Sequence, residues 1–490
     1  MMQQEEKIIG IKKDLFLPLF VVFLILLNAF LKFYGIGYSS FWIDEAYSVS
    51  ETLRSLKGIF QDCAATDNPP LYFILLHYWT KVFGISEAAV RSMSAVFSIS
   101  AALLIFNYSR KNLGLTTAVF VSLIFTLSAQ HLFYAQETRN YALVILLSII
   151  SATQFAKLFS EGKTMTLVLL TMSNMLLIYT HYIAGFLVVA EGITPLIFLK
   201  SKRKFFIQIF LSGVVVVISL LPWITNVIKN IPEEGKFWLT KPSFYNFKGL
   251  YIDFAGNKPA LILMFAIIGF GCYKSFKNWR ASRDAGELFF PVFFLIWTFL
   301  VPVAVYLIAF YRPIFLTRYL LYCSLGLYLA TGFFLSVLKF KPVIKVCLAT
   351  LLLMCMTFSL KLHPEREEHW REAVELVKHI KSTTDVVIVS VWYTNNVFSY
   401  YYDRNIFRHF YELDKLLNQE NIYALSKLDD ASFKLLPEAS RIILIQSHQV
   451  DDDPQNTVMN TLLSNANKIV SADYNKVQVT VFRRNKSVSP

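Results

Sequence analysis

The sequence predicts a polytopic α-helical membrane protein that carries a small C-terminal α/β domain. Hydrophobic residues make up 55% of the 490 positions and charged residues only 17%. The apolar residues fall into about a dozen stretches, most of them roughly 18 to 23 residues long, which is the length that a helix needs to cross the hydrocarbon core. This combination excludes a soluble globular protein.

The first predicted span begins near Leu15 and is not a signal peptide. Lysines precede an apolar run that is too long for a signal-peptide core, and no small-residue cleavage site follows it. We expect about eleven transmembrane helices in all. They are predicted to begin near Leu15, Val90, Leu115, Tyr141, Met165, Tyr182, Phe205, Pro259, Leu288, Leu316 and Val343.

One further apolar segment, PPLYFILLHYWTKVFG at 69–84, decides the topology. If it does not cross, five short loops that all carry Lys or Arg face the cytoplasm, as the positive-inside rule requires. The segment is also short and polar enough for a helix lying in the membrane interface. The N-terminus is therefore predicted inside a cell inner (plasma) membrane, and the C-terminal tail in the periplasm or an equivalent extracytoplasmic space.

The predicted domains are a membrane domain at 1–362, with a long first extracytoplasmic loop at 35–89, and a soluble extracytoplasmic domain at 363–490. The tail holds 15 basic and 17 acidic residues, so the net charge of +13 divides into +15 for the membrane domain and −2 for the tail. Basic residues beside apolar helices set orientation and bind anionic lipid. Membrane lipid is thus an expected partner, and nucleic acid is not.

The tail alternates a helical pattern, WREAVELVKHIKS, with β-rich runs, DVVIVSVW, RIILIQSH and KVQVTVFRR, which predicts a small α/β domain. It contains no Gly-rich phosphate loop, nucleophile elbow or metal-ligand spacing. The five cysteines have no paired spacing, so neither a disulfide framework nor a zinc site is indicated.

The first loop begins with FWIDEAYSVSETLRSLKGIF, which predicts an interfacial amphipathic helix. Its apolar residues at helical spacing are Ala46, Val49, Leu53, Leu56 and Phe60. Asp44 and Glu45 stand at its start, where an acid either caps backbone N–H groups or serves as a base at the membrane surface. Because adjacent helical residues point about 100° apart, the two carboxylates cannot share one substrate atom as equivalents.

Other polar residues gather at the predicted outward ends of the spans, where charges are costly and often functional. Each also has a plainer explanation: Asp67 and Asn68 in ATDNPPLYF fit a turn, Arg139 could pair with Glu137 or grip a phosphate, and the others could anchor the interface. The candidate substrate-binding residues are Asp67, Asn68, Arg91, Glu137, Arg139, Tyr141, His181, Tyr182 and Arg318.

The ordered motifs FWIDEAYS, DNPPLYF, GISEAAVRSMSAVFS, FYAQETRNYAL, THYIAGF and TRYLLY resemble the polyprenyl-phosphate-sugar-dependent glycosyltransferases of the C superfamily. The nearest resemblance is to the bacterial family related to dolichyl-phosphate-mannose protein mannosyltransferases and lipid A aminoarabinose transferase. It covers roughly 15–362, and it implies a membrane domain of the glycosyltransferase C type.

The resemblance implies that Asp44 and Glu45 are catalytic, with Asp44 as the general base, and that a sugar passes with inversion from a polyprenyl-phosphate donor to a protein, lipid A or envelope-glycan acceptor. Asn68 departs from the family pattern, which often has His or Lys there, and Arg139 or Arg318 is expected to compensate. No cofactor is required by this reading, although a divalent cation at the two acids stays open.

The alternative interpretation is a membrane transporter or lipid flippase. Many spans with buried polar residues can line a translocation path, and Glu191 lies in mid-span. Against this, the sequence contains no repeated pair of interrupted helices. A membrane-anchored sensor would leave most of the spans without a purpose.

Overall fold

A computed structural model of the protein describes residues 13–66, 68–229, 239–362 and 368–485. The described residues between 13 and 362 are mostly helical, as the long apolar stretches require. The α-helices there are α1 (Lys13–Phe33), α2 (Ile43–Glu51), α3 (Leu56–Thr66), α4 (Leu71–Phe83), α5 (Glu87–Asn112), α6 (Leu115–Thr126), α7 (Ala129–Ala135), α8 (Tyr141–Glu161), α9 (Thr164–Ile178), α10 (Gly185–Ile193), α11 (Arg203–Lys229), α12 (Phe244–Ala255), α13 (Lys258–Ser282), α14 (Phe289–Leu295), α15 (Val301–Ile308), α16 (Cys323–Val337) and α17 (Pro342–Thr357).

Within the described residues, six helical segments are long and apolar enough to cross a membrane, and a seventh forms if α6 and α7, bent by 61° at their junction, count as one span. Four shorter apolar helical segments correspond to the remaining predicted spans: Thr164–Ile178, Tyr182–Phe198, Cys323–Val337 and Pro342–Thr357. The protein is a multi-pass membrane protein, and the count of eleven spans stays a prediction.

The segment that decided the predicted topology forms α4, a helix of 13 residues. At 1.5 Å per residue it is about 20 Å long, which is short of the roughly 30 Å hydrocarbon core. Its length therefore agrees with a helix that does not cross.

The chain divides into two compact units. The first, the membrane unit, comprises Met1–Tyr34, Cys63–Tyr72 and Ser92–Leu362, and the second, the tail unit, comprises Gly35–Asp62, Phe73–Arg91 and His363–Pro490. Much of the first loop thus folds with the C-terminal tail. The domain boundary at 363 remains a prediction from composition.

Glu87, the first residue of α5, joins the loop to the tail inside the tail unit. Its carboxylate accepts hydrogen bonds from Arg371 at 2.7 Å, Tyr401 at 3.0 Å and Tyr400 at 3.1 Å. Glu87 therefore holds Arg371, which lies 284 positions away in the sequence.

The described part of the tail, 368–485, contains seven α-helices and five strands. They are α18 (Trp370–Ile380), β1 (Val386–Ser390), α19 (Asn395–Tyr402), α20 (Arg404–Arg408), α21 (Leu413–Gln419), β2 (Ile422–Ala424), α22 (Asp430–Leu435), β3 (Arg441–Gln446), α23 (Gln449–Asp452), α24 (Thr457–Asn465), β4 (Ala466–Asp473) and β5 (Gln478–Arg484). The strand order is β2-β1-β3-β5-β4. β1 pairs in parallel with β2 and β3, and β5 pairs antiparallel with β3 and β4.

This sheet confirms the predicted α/β tail. The three predicted runs form β1, β3 and β5, and the predicted helix forms α18. β1 is buried along its whole length, as expected for a strand with parallel neighbours on both edges. Pattern reasoning missed β2, which has only three residues, and β4, an edge strand whose side chains are mostly exposed.

The single amphipathic face predicted for the first loop is wrong, because the helix stops after Glu51 and a second helix begins at Leu56. The hydroxyl of Ser55 accepts a hydrogen bond from the backbone N–H of Gly58, which starts α3 with a new helical phase. Ala46 and Val49 are fully buried, whereas Phe60 is 44% exposed.

Candidate functional site

Asp44 and Glu45 lie in the first turn of α2, and their side chains have different surroundings. The helix begins after Trp42, whose extended backbone is the N-cap and whose side chain makes no capping hydrogen bond. Acids in a first turn interact favourably with the helix dipole. Glu45 is fully buried, whereas Asp44 is partly exposed. The two carboxylates thus have different surroundings, in agreement with the 100° offset.

Glu45 forms a buried, two-pronged ion pair with Arg91. Nε of Arg91 lies 2.8 Å from Oε1 of Glu45, and Nη2 lies 2.6 Å from Oε2, with 2% of the arginine and none of the glutamate side chain exposed. The remaining guanidinium donors bind the backbone carbonyls of Ile36, Ser39 and Ser40. This pair fixes the start of α2, and with it the position of Asp44.

Sequence reasoning missed a second charged cluster at the end of the same helix. Arg54 binds Glu51 at 2.8 Å and Asp62 at 3.1 Å, and the hydroxyl of Tyr47 donates to Asp62 at 2.7 Å. Glu51 is fully buried, and burial, with the negative charge of Asp62, raises its pKa to about 7. The cluster ties α2 to α3 through charges that an amphipathic pattern assigns to the surface.

The raised pKa of Glu51 predicts a pH-dependent stability. Because the pKa rises from 4.5 to about 7 on folding, Glu51 favours the folded state most below pH 4.5, and this contribution is lost as the pH rises through 7. We expect Glu51→Gln to raise the unfolding free energy at pH 8 by on the order of 1–3 kcal/mol and to change it little at pH 4.5. The measurement is the melting temperature of the parent, of Glu51→Gln and of the control Glu375→Gln, at an exposed residue, across this pH range. If the melting temperatures of all three proteins changed in parallel with pH, the raised pKa of Glu51 would be contradicted.

In the membrane unit, five of the predicted substrate-binding residues come together at the N-terminal end of α8. The ring centroids of Tyr141 and His181 are 6.3 Å apart. The charges of Arg139 and Arg318 act on both of these side chains, and the charge of buried Glu137 acts on Tyr141. The amide of Asn140 donates to the carbonyl of Thr180 at 2.8 Å, which brings the two segments together. We call Arg139, Tyr141, His181 and Arg318 the arginine cluster.

His181 is a neutral hydrogen-bond donor in this cluster. Burial and the charges of Arg139 and Arg318 lower its pKa, so the ring is uncharged at physiological pH. Its Nδ1 accepts a hydrogen bond from the backbone N–H of Ile183 at 3.2 Å, which leaves the proton on Nε2. Tyr319, which the sequence reading did not single out, packs against the His181 ring at 4.9 Å and lies under Arg318.

The other predicted residues lie apart from this cluster or have local roles. Asn68 donates to the carbonyl and hydroxyl of Thr66, as a turn residue does. The hydroxyl of Tyr182 accepts a hydrogen bond from the indole of Trp223. Arg91 belongs to the ion pair with Glu45 in the tail unit. Asp67 lies outside the described residues.

Two buried charges in the membrane unit also have polar partners. Lys32 is fully buried, donates to Asn28 at 2.5 Å and lies over the ring of Phe125. Glu191 accepts hydrogen bonds from Ser151 at 2.7 Å and Asn174 at 2.8 Å. The sequence analysis did not single out Lys32, because its burial depends on contacts with other helices.

The described residues contain no group of three or more His, Cys, Asp or Glu side chains that could hold a metal ion. Asp44 and Glu45 in particular face different surroundings, and Glu45 is bound to Arg91 on both oxygens. If a divalent cation binds near these two acids, only Asp44 of the two could therefore be its ligand.

Comparisons with known proteins were made at the level of sequence and of structure. No family model matches the sequence. An uncharacterized protein of Aquifex aeolicus (strain VF5) is 22% identical over 205 residues, which is 39% of this chain and 40% of that protein. The chain thus matches less than half the length of this curated relative.

The structural similarity extends over nearly the whole chain. ArnT from Cupriavidus metallidurans, solved in the apo state and bound to undecaprenyl phosphate, superposes with a TM-score of 0.61 in both forms, at 13% and 12% identity. The apo form covers 94% of this chain and 97% of ArnT. The Archaeoglobus fulgidus oligosaccharyltransferase tethered to an acceptor peptide superposes at 0.52, with 10% identity, over 98% of this chain and 75% of that one.

These similarities agree with the elements described above: long apolar helices, helices in the first loop and a small C-terminal sheet. At such low identity they establish the fold. The chain is a multi-pass membrane protein with the glycosyltransferase C fold and a C-terminal α/β tail.

Proposed function

We propose that the protein is an inverting glycosyltransferase that moves a sugar from a polyprenyl-phosphate donor to an extracytoplasmic acceptor. The observation that carries this proposal is the arginine cluster, which brings Arg139, Arg318 and the neutral His181 together in a chain of this fold. Guanidinium groups bind phosphate oxygens through paired N–H donors, and the Nε2–H of His181 supplies another donor. The cluster has the chemistry that a lipid phosphate requires.

The chemistry of the donor explains why one base is sufficient. A sugar phosphate already carries a good leaving group, so the departing phosphate needs positive charge more than it needs a proton. Glycosidases protonate a poor leaving group, which is why they use two carboxylates. In the proposed reaction the acceptor attacks the anomeric carbon, its proton passes to Asp44, and the bond to the phosphate oxygen breaks with inversion.

The structural neighbours support this proposal through their own ligands. ArnT has been solved with undecaprenyl phosphate, and the archaeal oligosaccharyltransferase with a tethered acceptor peptide. For this chain the acceptor is a protein, a lipid or an envelope glycan. We propose a periplasmic reaction at the inner membrane, since the positive-inside rule assigns the first loop and the tail to that side.

The test is sugar transfer by the purified full-length protein from a polyprenyl-phosphate hexose to a crude envelope acceptor. We expect Arg139→Gln and Arg318→Gln each to lower kcat/KM by about tenfold to 100-fold, because each removes one charge-assisted contact to the phosphate. Arg312→Gln, at an exposed arginine six positions from Arg318, is the matched control and should retain the parent activity.

Arg139→Gln and Arg318→Gln should bind undecaprenyl phosphate more weakly than the parent, in step with their loss of sugar transfer. Normal transfer by both variants would remove the arginine cluster from the mechanism. Failure of the parent protein with every lipid-linked sugar tested would favour the transporter or flippase instead.

A further inference from the structure

The tail unit contains a cavity that the proposed reaction does not use. It has a volume of about 400 Å³, within the roughly 300–1,000 Å³ typical of small-molecule sites. Its walls come from the start of α19 and from the segment that leads into α21. Three aromatic rings and several amide and carboxylate groups line it, so it differs in character from the apolar core of the sheet.

The aromatic wall is both exposed and held in place. Trp392 is 55% exposed and Tyr411 is 72% exposed, which is unusual for large rings in a folded domain. The guanidinium of Arg54 lies 4.3 Å from the ring centroid of Phe410 and 5.4 Å from that of Tyr411. A fixed aromatic surface of this kind binds the apolar face of a ligand at little entropic cost.

The polar wall presents hydrogen-bond acceptors without partners. Asn395 is only 5% exposed, and its amide NH₂ donates to Asp414 at 2.8 Å. That bond orients the amide, yet the Oδ1 atoms of both Asn395 and Asn396 are buried with no hydrogen-bond partner among the described residues. Buried acceptors are normally paired, because leaving one unpaired is costly. Both residues line the cavity, so a rotation of either amide that exposes its Oδ1 would let a ligand with donor groups satisfy it.

These two walls select the ligand by its chemistry. Two carboxylates, those of Glu412 and Asp414, outnumber the single ammonium group of Lys415 in the cavity wall, and together with the unpaired acceptors they disfavour a phosphate or another anion. A pyranose ring has an apolar C–H face that stacks on an aromatic ring, and hydroxyl groups around its edge that donate hydrogen bonds. We infer that this cavity binds a neutral sugar ring, as a saccharide subsite of the tail. That the cavity binds a sugar does not depend on the proposed function. Only the further step, that this sugar is part of a glycan acceptor, rests on it.

The test is saturation-transfer NMR on the full-length protein in nanodiscs, with mannobiose, chitobiose and lactose as probes. We expect saturation transfer from the protein to at least one of the disaccharides. Trp392→Ala and Asn396→Ala should each bind that disaccharide about tenfold more weakly than the parent. Leu435→Ala is the matched control, because Leu435 is 87% exposed on the same unit but does not line the cavity. Melting temperatures would show that the variants stay folded.

Binding needs no donor lipid, so this result is independent of sugar transfer. If the protein binds a disaccharide but transfers no sugar, the saccharide subsite is supported and the proposed glycosyltransferase activity is contradicted. The subsite is overturned if none of the three disaccharides binds, if Trp392→Ala binds as well as the parent, or if triglycine displaces the bound sugar.

Discussion

Replacing Asp44 with Asn is expected to lower kcat for sugar transfer by about 10²–10⁴-fold, the usual contribution of a general base. The KM for the polyprenyl-phosphate donor should change little, because in our proposal the donor phosphate is bound by the arginine cluster. The melting temperature should also stay close to that of the parent. Asp44 is partly exposed, and the N-cap of α2 is Trp42, so the helix does not depend on the Asp44 carboxylate as its cap.

Two companion variants make this result specific. Asp44→Glu keeps a carboxylate on a longer side chain, so its activity should lie between that of the parent and that of Asp44→Asn. If Asp44 had only a structural role, the activities would not follow this order. Asp473→Asn, at an exposed carboxylate at the end of β4, is the matched control and should transfer sugar normally. Equal transfer by Asp44→Asn and the parent would exclude Asp44 as the base and direct attention to Glu137.

Local patterns were sufficient where one segment determines its own structure. The apolar runs predicted the membrane helices, and runs rich in β-branched residues predicted β1, β3 and β5. Polar residues at the predicted outward ends of the spans singled out Arg139, Tyr141, His181 and Arg318, which the structure brings together although they are spread over 179 positions.

Local patterns failed where a side chain is explained by a distant partner. Arg91 looks like an interfacial anchor until Glu45, 46 positions earlier, is found to bind it. Glu87 likewise receives Arg371 from 284 positions away. Glu51 belongs to the polar face of an ideal helix, yet its ion pair with Arg54 permits its burial. Periodicity carries no information on such pairs, because each depends on the assembled fold.

The ion pair of Arg91 and Glu45 leads to the second large expected effect, which concerns stability. Removing one partner of a buried ion pair leaves the other charge without compensation, at a cost of about 3–5 kcal/mol. We therefore expect Arg91→Met and Glu45→Gln each to lower the melting temperature markedly and to expose the first loop to limited proteolysis. Arg91→Lys should not restore the parent stability, since an ammonium group cannot bind both carboxylate oxygens and three carbonyls in the same planar arrangement.

The double variant Arg91→Met with Glu45→Gln tests whether the pair itself is responsible. It should be more stable than the sum of the two single changes predicts, because no buried charge remains uncompensated. Recovery should be incomplete, as the carbonyls of Ile36, Ser39 and Ser40 lose their donor. Strict additivity in this cycle would show that the two side chains do not act as a pair.

The same variants decide between a positioning and a catalytic role for Glu45. If Glu45 only positions α2, Glu45→Gln assayed well below its melting temperature should keep kcat within about tenfold of the parent and the same pH profile. A loss as large as that of Asp44→Asn in a folded Glu45→Gln protein would instead make Glu45 part of the reaction. Because Arg91 binds both carboxylate oxygens of Glu45, the geometry favours the first result.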